Sequence, residues 1–191
     1  MSRATALDLT NHQDWQPAPM PGANLPLDVV RLASERGRFS IHGRFPPGFE
    51  RAVPGGYVAS EEFLVLEGEL ESEGRVFRRG DLTVVPPAFP RTAMRSPLGC
   101  RVLAWFGGLP DFVAHDALPV CVESIASAPV TGSDPLPTTP VANWRRGAVP
   151  TGEGPVEVIT ADLGRWRRTE LAGSVDSLAL DEGDLVRREL S

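Results

Sequence analysis

The side chains able to carry out nucleophilic, acid–base or metal chemistry are few in this sequence. Its two cysteines, Cys100 and Cys121, and its three histidines form neither a Cys-x-x-Cys pair nor a His-x-His pair. Disulfide frameworks and structural zinc sites use closer and more numerous ligands, so neither is predicted. All 19 basic residues are arginine and none is lysine. Chemistry through a lysine Schiff base or a lysine general base is therefore excluded.

His42 is the first acid–base candidate. It alternates with Ser40 and Arg44 on the polar face of a predicted strand, and histidine is the side chain that ordinarily titrates nearest neutral pH. If that face lines a pocket, His42 is its natural proton donor and acceptor; otherwise it is a surface histidine. Trp105 forms the floor of a pocket or packs in a core or interface. Arg95 is a candidate contact for an anionic ligand, and a surface residue otherwise.

Short apolar runs between glycines and prolines indicate an all-β fold. Glycine and proline number 19 each and are spaced along the chain as turns, not gathered in one tail. Alternating and continuous apolar patterns predict short strands, and no long helix is predicted. The predicted strands are 28–32, 38–45, 61–70, 75–78, 82–85 and 100–106, with a hairpin tip at Glu73-Gly74.

The charge balance argues against a nucleic-acid partner. The chain has 19 basic and 25 acidic residues and a net charge of −6, whereas phosphate binding needs a basic surface. No apolar run approaches the roughly 20 residues of a membrane span, and the N-terminus lacks the apolar region of a secretory signal. We therefore expect no membrane contact and a cytoplasmic location. Several glutamates are expected to form a solvated strand edge and hairpin: Glu62, Glu67, Glu69, Glu71 and Glu73.

Changes in composition divide the chain into four segments. Residues 1–26 read as a proline-rich arm that packs through Trp15, and 27–108 as the barrel domain. Residues 109–140 are a proline-rich linker or surface wrap, and 141–191 a partial second repeat. Such a repeat stops before its last strands and cannot close a barrel alone. We therefore expect the strands that it does contain to extend the first sheet, within the chain or in a neighbouring subunit.

Two stretches of the barrel domain resemble a known family. Residues 54–70 and 79–91 are similar to the two signature motifs of the cupin superfamily, and most similar to the bacterial cupin domain that serves as a sensor in some anti-sigma factors. The resemblance covers about 27–108 and implies an all-β, cupin-type β-barrel (jelly roll). The matching positions are Glu61 and Gly68 in the first motif and Gly80 and Pro86 in the second.

The departures from the cupin motifs concern the metal ligands. In cupins, two histidines and a glutamate of the first motif and a histidine of the second bind a divalent metal. Here Gly55 and Tyr57 take the first two histidine positions and Arg91 takes the last, while Glu61 remains. A guanidinium cannot ligate a metal and repels one, so no metal and no cofactor is expected. Arg91 is expected to pair with Glu61 beside Tyr57, lining a pocket for an organic ligand or filling a collapsed one.

Two classes of function stay open. The first is a metal-independent isomerase, cyclase or lyase, in which Tyr57 and Glu61, or His42, exchange protons and Arg91 stabilises an enolate or carboxylate. The second is a non-catalytic sensor that binds a metabolite. Besides these two classes, the sequence leaves a metal-dependent dioxygenase with a displaced ligand set, for example His42 with Glu61. Cupin-like barrels commonly pair through strand edges, which predicts a homodimer with a small-molecule ligand.

Overall fold

A computed structural model describes residues 6–11, 14–35, 37–169 and 179–190. The regular secondary structure of this part of the chain consists of antiparallel strands and one turn of 3-10 helix, His115–Ala117. Within it, no helix is long and apolar enough to cross a membrane. The strands are β1 (Ala6–Asp8), β2 (Gln16–Ala18), β3 (Leu27–Glu35), β4 (Arg38–Phe45), β5 (Phe49–Arg51), β6 (Gly55–Tyr57), β7 (Glu61–Ser72), β8 (Arg75–Arg78), β9 (Asp81–Val85), β10 (Met94–Ser96), β11 (Cys100–Phe106), β12 (Phe112–Ala114), β13 (Ala126–Pro129), β14 (Ala142–Arg146), β15 (Val156–Ile159), β16 (Arg165–Thr169) and β17 (Leu185–Glu189).

The predicted all-β fold and its six strands are confirmed. β4, β8 and β11 begin and end at the predicted residues, and β3, β7 and β9 differ from prediction only at their ends. The predicted hairpin tip at Glu73 and Gly74 is a turn. These strands were predictable because their ends are marked by glycine and proline, which favour turns over continued pairing.

The first sheet has ten strands, and its path runs β13-β9-β7-β11-β4-β3-β2. β7 is long enough to pair with β9 and β11 along its first part and with β8 and β10 along its second. Side chains from one face of these strands meet in a first apolar core. Its buried members are Leu27, Phe45, Phe49, Tyr57, Phe63, Val65, Leu70, Phe77, Val85, Met94, Cys100, Val102, Ala104, Phe106 and Ile125.

The second sheet has five strands in the order β1-β16-β15-β17-β14. Within the chain, the strands of 141–191 do not extend the first sheet as expected, because they pair with one another and with β1. The second sheet packs instead on the outer face of the first, in the same chain. A second apolar core lies between them, with Leu64, Leu66, Leu103 and Trp105 from the first sheet.

Burial on both faces explains the continuous apolar stretch of β7. Phe63 and Val65 belong to the first core, whereas Leu64 and Leu66 belong to the second, because successive side chains of a strand point to opposite faces. The second sheet removes the leucines of the outer face from water. Strands added at the edge of the first sheet would leave those leucines exposed. The first sheet is thus a shared wall between two cores.

Candidate functional site

A cavity of 40 Å³ lies inside the first core. Its lining is apolar except for Glu61, Ser72, Arg91 and the hydroxyl-bearing Tyr57. The Ser72 hydroxyl donates a hydrogen bond to the Ala93 carbonyl. The apolar lining comes from Met20, Leu27, Ile41, Gly43, Phe45, Phe63, Leu70, Phe77, Val85, Met94, Val102, Ala104, Phe106 and Ile125.

Glu61 and Arg91 form a buried ion pair in the cavity lining. Glu61 is the first residue of β7, and Arg91 lies in the loop that follows β9. The Arg91 backbone is held on β6 by two hydrogen bonds, from Arg91 N–H to the Gly55 carbonyl (2.7 Å) and from Gly55 N–H to the Arg91 carbonyl (3.0 Å). Arg91 Nη2 donates to Glu61 Oε2. The residues are 4% and 9% exposed, so the predicted pairing is present and turned away from bulk solvent.

Tyr57 packs beside the ion pair. The Arg91 guanidinium carbon lies 5.2 Å from the centroid of the Tyr57 ring, and Phe106 and Phe112 pack edge-on against the same ring. Burial, followed by the negative charge of Glu61, raises the pKa of Tyr57, although the cations Arg91 and Arg51 lower it. Tyr57 is therefore a neutral phenol at physiological pH, and its O–H is available as a hydrogen-bond donor.

Gly55 lies where the cupin motif has its first histidine, and no side chain fits there. A Cβ at Gly55 would lie 2.2 Å from the Phe112 ring and 2.4 Å from the Val113 carbonyl oxygen. Phe112 belongs to β12, which pairs with β6 in a two-stranded sheet. In the described ranges, no three His, Cys, Asp or Glu side chains come together as a possible metal-ion site.

Three predicted site residues lie away from the cavity. His42 was expected to face the pocket, but Ile41 and Gly43 from the other face of β4 line it. His42 is instead buried beneath the N-terminal arm, 4.7 Å from Trp15 between ring centroids. This expectation is corrected by the register of β4: alternation identified two faces but did not say which face turns inward.

The expectations for Trp105 and Arg95 are corrected as well. Trp105 lies on the outer face of β11, where its Nε1–H donates a 2.7 Å hydrogen bond to Glu157. Arg95 is largely exposed and pairs with Glu71 at 2.7 Å. Neither residue reaches the cavity, so neither floors the pocket nor contacts a ligand bound there.

A buried charge network between the two sheets was missed by the sequence analysis. The Glu157 carboxylate accepts hydrogen bonds from the indole N–H groups of Trp105 and Trp166, both at 2.7 Å. Arg187 donates to Glu62 at 2.8 Å and to Glu157 at 3.3 Å. Burial disfavours the charge of Arg187, but Glu62 and Glu157 outweigh it and raise the pKa of Arg187. The network holds the second sheet against the first.

Glu62 was expected at a solvated edge, yet it is fully buried. The signal that identifies it is the continuous apolar run that follows, Phe63 to Leu66. A strand with both faces apolar is covered on both sides, so the two glutamates that open it point into the two cores. Glu61 enters the first and Glu62 the second.

The fold has counterparts among solved structures. No protein-family model matches the chain, and no curated protein matches it. A protein from Nostoc punctiforme, provisionally described as a dioxygenase, shares 14% identity and a TM-score of 0.51 over 96% of this chain and 74% of its own. An acetylacetone dioxygenase from Acinetobacter johnsonii shares 13% identity and a TM-score of 0.45 over 61% and 91%. The polyketide cyclase RemF from Streptomyces resistomycificus shares 19% and 0.45 over 53% and 80%. At these identities the likeness is one of fold.

Proposed function

We propose that this chain, whose all-β antiparallel sheets are consistent with a cupin-type jelly roll, binds a small organic molecule in the interior cavity without a metal. The observation that carries this proposal is the buried Glu61–Arg91 ion pair, which lies in the lining of a mostly apolar cavity. Ligand pockets in proteins commonly combine apolar walls with a few convergent polar groups. Here those groups are the ion pair and the Tyr57 phenol.

The residues at the cupin metal position do not fit a divalent ion. Glu61 is the one carboxylate of the cavity lining, and the Arg91 guanidinium occupies one of its oxygens. At Gly55 the Phe112 ring fills the space that a histidine would need. A displaced ligand set of His42 with Glu61 is not supported either. His42 lies on the face of β4 that points away from the cavity, whereas Ile41 and Gly43 line it.

The chemistry we propose is proton transfer on the bound molecule, as in an isomerase, cyclase or lyase. The Glu61 carboxylate is the base, and the neutral Tyr57 phenol is the acid. Arg91 stabilises negative charge that develops on a substrate oxygen, as an enolate would carry it. A second candidate is a non-catalytic sensor, favoured by the fact that the Glu61 carboxylate already accepts a hydrogen bond from Arg91.

Two measurements test binding and the absence of metal. Elemental analysis of tag-free protein, before and after soaking in iron, manganese, nickel and zinc, is expected to find no stoichiometric metal. Thermal-shift screening of small organic molecules is expected to find ligands that stabilise the wild type and not Ala104→Leu, which fills the cavity. The exposed substitution Leu98→Ala is the matched control and is expected to respond as the wild type.

Either of two results contradicts the proposal. The first is one metal per chain after soaking. The second is that every stabilising molecule acts equally on Ala104→Leu and on the wild type, provided that the variant alone unfolds cooperatively. For molecules that bind, NMR spectra over time separate the two candidates. Conversion that Glu61→Gln and Tyr57→Phe abolish identifies an enzyme, and unchanged ligand identifies a sensor.

A further inference from the structure

The cavity of the first core comes closest to solvent at Met20 and Ile41. These two lining residues are half-buried, whereas the rest of the lining, within the described part of the chain, is buried. Ile41 pairs across the sheet with Arg31 of β3, which is exposed. Phe39, two residues before Ile41 on the same face of β4, is also half-buried. The wall between the cavity and water is therefore thinnest at the side chains of Met20 and Ile41.

Ile41 is fixed in the middle of the first sheet. β4 is paired along its length with β3 on one side and with β11 on the other. Ile41 lies opposite Arg31 in the first pairing and opposite Ala104 in the second. Its β-branched side chain is also stiff at the first torsion. A molecule that enters the cavity at this point therefore has to displace Met20.

The backbone at Met20 is also held, so the part that can move is the side chain. Met20 opens a tight turn through Pro21 and Gly22, in which the Ala23 N–H donates to the Met20 carbonyl at 3.1 Å. Arg51 Nε donates to the Pro21 carbonyl at 3.0 Å, and β2, before the turn, pairs with β3. A methionine side chain is unbranched and has three rotatable bonds. It can swing outward while this backbone stays in place.

We propose that Met20 is the gate of the cavity: its side chain closes the entrance, and its rotation toward solvent admits the ligand between the N-terminal arm and β4. In the closed position the side chain completes the apolar lining. In the open position the passage is as wide as the space that the side chain leaves. Met20 therefore limits the size of the molecules that reach Glu61 and Arg91. This inference rests on the proposed function, because it treats the cavity as a binding site.

A thiol placed inside the cavity measures access without a known ligand. Ala104 lines the cavity and is buried, so Ala104→Cys in the full chain carrying Cys121→Ser provides that thiol. The probe is methyl methanethiosulfonate, a small uncharged reagent that adds a methylthio group. Native Cys100 is buried in the same core but lies outside the cavity lining, so its reaction reports unfolding in the same molecule. Trypsin cuts after Arg101, between the two thiols, and mass spectrometry follows each one.

Removal of the gate is expected to speed the reaction of the introduced thiol. Met20→Ala is expected to raise its rate relative to Cys100 roughly fivefold, because a half-buried methionine no longer has to leave its apolar contacts. Met94→Ala is the matched control. Met94 lines the same cavity but is buried, so this substitution widens the cavity without opening it and is expected to leave the ratio unchanged. Met20→Ile has a stiffer side chain and is expected to lower the ratio.

The ratio of the two rates cancels any loss of stability that both thiols share. Equal ratios in Met20→Ala and Met94→Ala overturn the gate, and so does a Met20→Ile variant that reacts as fast as the wild type. Acceleration in Phe112→Ala, with no change in Met20→Ala, places the entrance beside β12 and likewise overturns it. Each of these results leaves the proposed function standing, because a ligand can enter by another route. The comparison of wild type with Ala104→Leu decides the proposed function separately.

Discussion

The Glu73 carboxylate accepts a 2.6 Å hydrogen bond from the backbone N–H of Thr92. Glu73 lies at the tip of the β7–β8 hairpin, and Thr92 follows Arg91 in the chain. The same carboxylate also accepts from the Ala93 N–H at 3.1 Å and from the Thr92 hydroxyl. A residue expected to be solvated thus holds the loop that carries the cavity's guanidinium, and it does so with a left-handed backbone φ of +51°.

We predict that Glu73→Ala lowers the free energy of unfolding by about 1–2 kcal/mol, because it removes hydrogen bonds to a charged acceptor at a partly exposed site. Glu73→Gly is expected to cost less, since glycine adopts a positive φ without strain while losing the same hydrogen bonds. Urea unfolding measures both. Glu71→Ala is the control, because its exposed pair with Arg95 contributes less than about 1 kcal/mol. A Glu73→Ala variant as stable as Glu71→Ala would show that the carboxylate does not hold the loop.

Local patterns predicted the strands and the ion pair for a shared physical reason. Turn residues bound each strand, and alternation divides its side chains between two faces, so β4, β8 and β11 could be placed to the residue. Glu61 lies seven residues before Gly68 and Arg91 five residues after Pro86, the spacings of the two motifs that the sequence resembles. Those positions come together once the strands pair. Glu61 opens β7 and Arg91 lies in the loop after β9, and these two strands are neighbours in the sheet.

What escaped prediction depends on contacts distant in sequence. Glu62 and Arg187 are 125 residues apart, and nothing local to either one identifies the other. Which face of a strand points to the cavity depends on what covers the other face. The sequence around β4 therefore could not show whether His42 faces the cavity before the second sheet was known. Glu73 escaped because its partners are backbone N–H groups, which every residue except proline has.

The phenol of Tyr57 can be titrated without overlapping signals from other tyrosines, because it is the single tyrosine of the chain. We predict that its phenolate appears, by ultraviolet absorbance, at a pH above the ordinary value of about 10, since burial and then Glu61 raise its pKa. Glu61→Gln removes one of these causes and leaves Arg91 unopposed, so it is expected to move the pKa of Tyr57 down. A pKa that stays at the wild-type value in Glu61→Gln would argue against their coupling.

The same shift predicts how stability depends on pH. A group whose pKa is raised on folding contributes stability that is complete below its unfolded pKa and is lost as pH rises through the folded one. For Tyr57 that window begins near pH 10 and extends upward. Tyr57→Phe is therefore expected to flatten the alkaline fall in unfolding free energy, measured in urea at several pH values. An equally steep fall in the variant would assign it to other groups.

The two cysteines are predicted to differ in reactivity. Burial, aided by Glu67 and Glu69, raises the pKa of Cys100 to about 12, whereas Cys121 is partly exposed. Because the thiolate is the reactive form, a thiol reagent at neutral pH is expected to modify one cysteine in the folded protein and two in denaturant. Cys121→Ser is expected to abolish the fast reaction. Fast modification in that variant would mean that Cys100 is accessible.

A double substitution tests the buried charge network of Glu62, Glu157 and Arg187 between the two sheets. Arg187→Met leaves Glu62 buried without its cation, and the loss of one partner of a buried pair costs about 3–5 kcal/mol. Replacing both members in Glu62→Leu/Arg187→Met removes the unpaired charge of Glu62, while Glu157 keeps Arg168 and two indole N–H groups as partners. The double variant is therefore expected to be more stable than Arg187→Met alone. Urea unfolding followed by tryptophan fluorescence measures this, because the Arg187 guanidinium lies 5.3 Å from the centroid of the Trp105 ring.

The exposed pair of Arg44 with Asp28, at 2.6 Å, is the matched control for that experiment. Asp28→Ala is expected to change the unfolding free energy by less than about 1 kcal/mol, because solvent screens the charges of a surface pair. If Arg187→Met costs no more than Asp28→Ala, the two sheets are held by apolar contact alone. If the double variant is the least stable of all, the ion pair itself stabilises the interface beyond what leucine and methionine packing can replace.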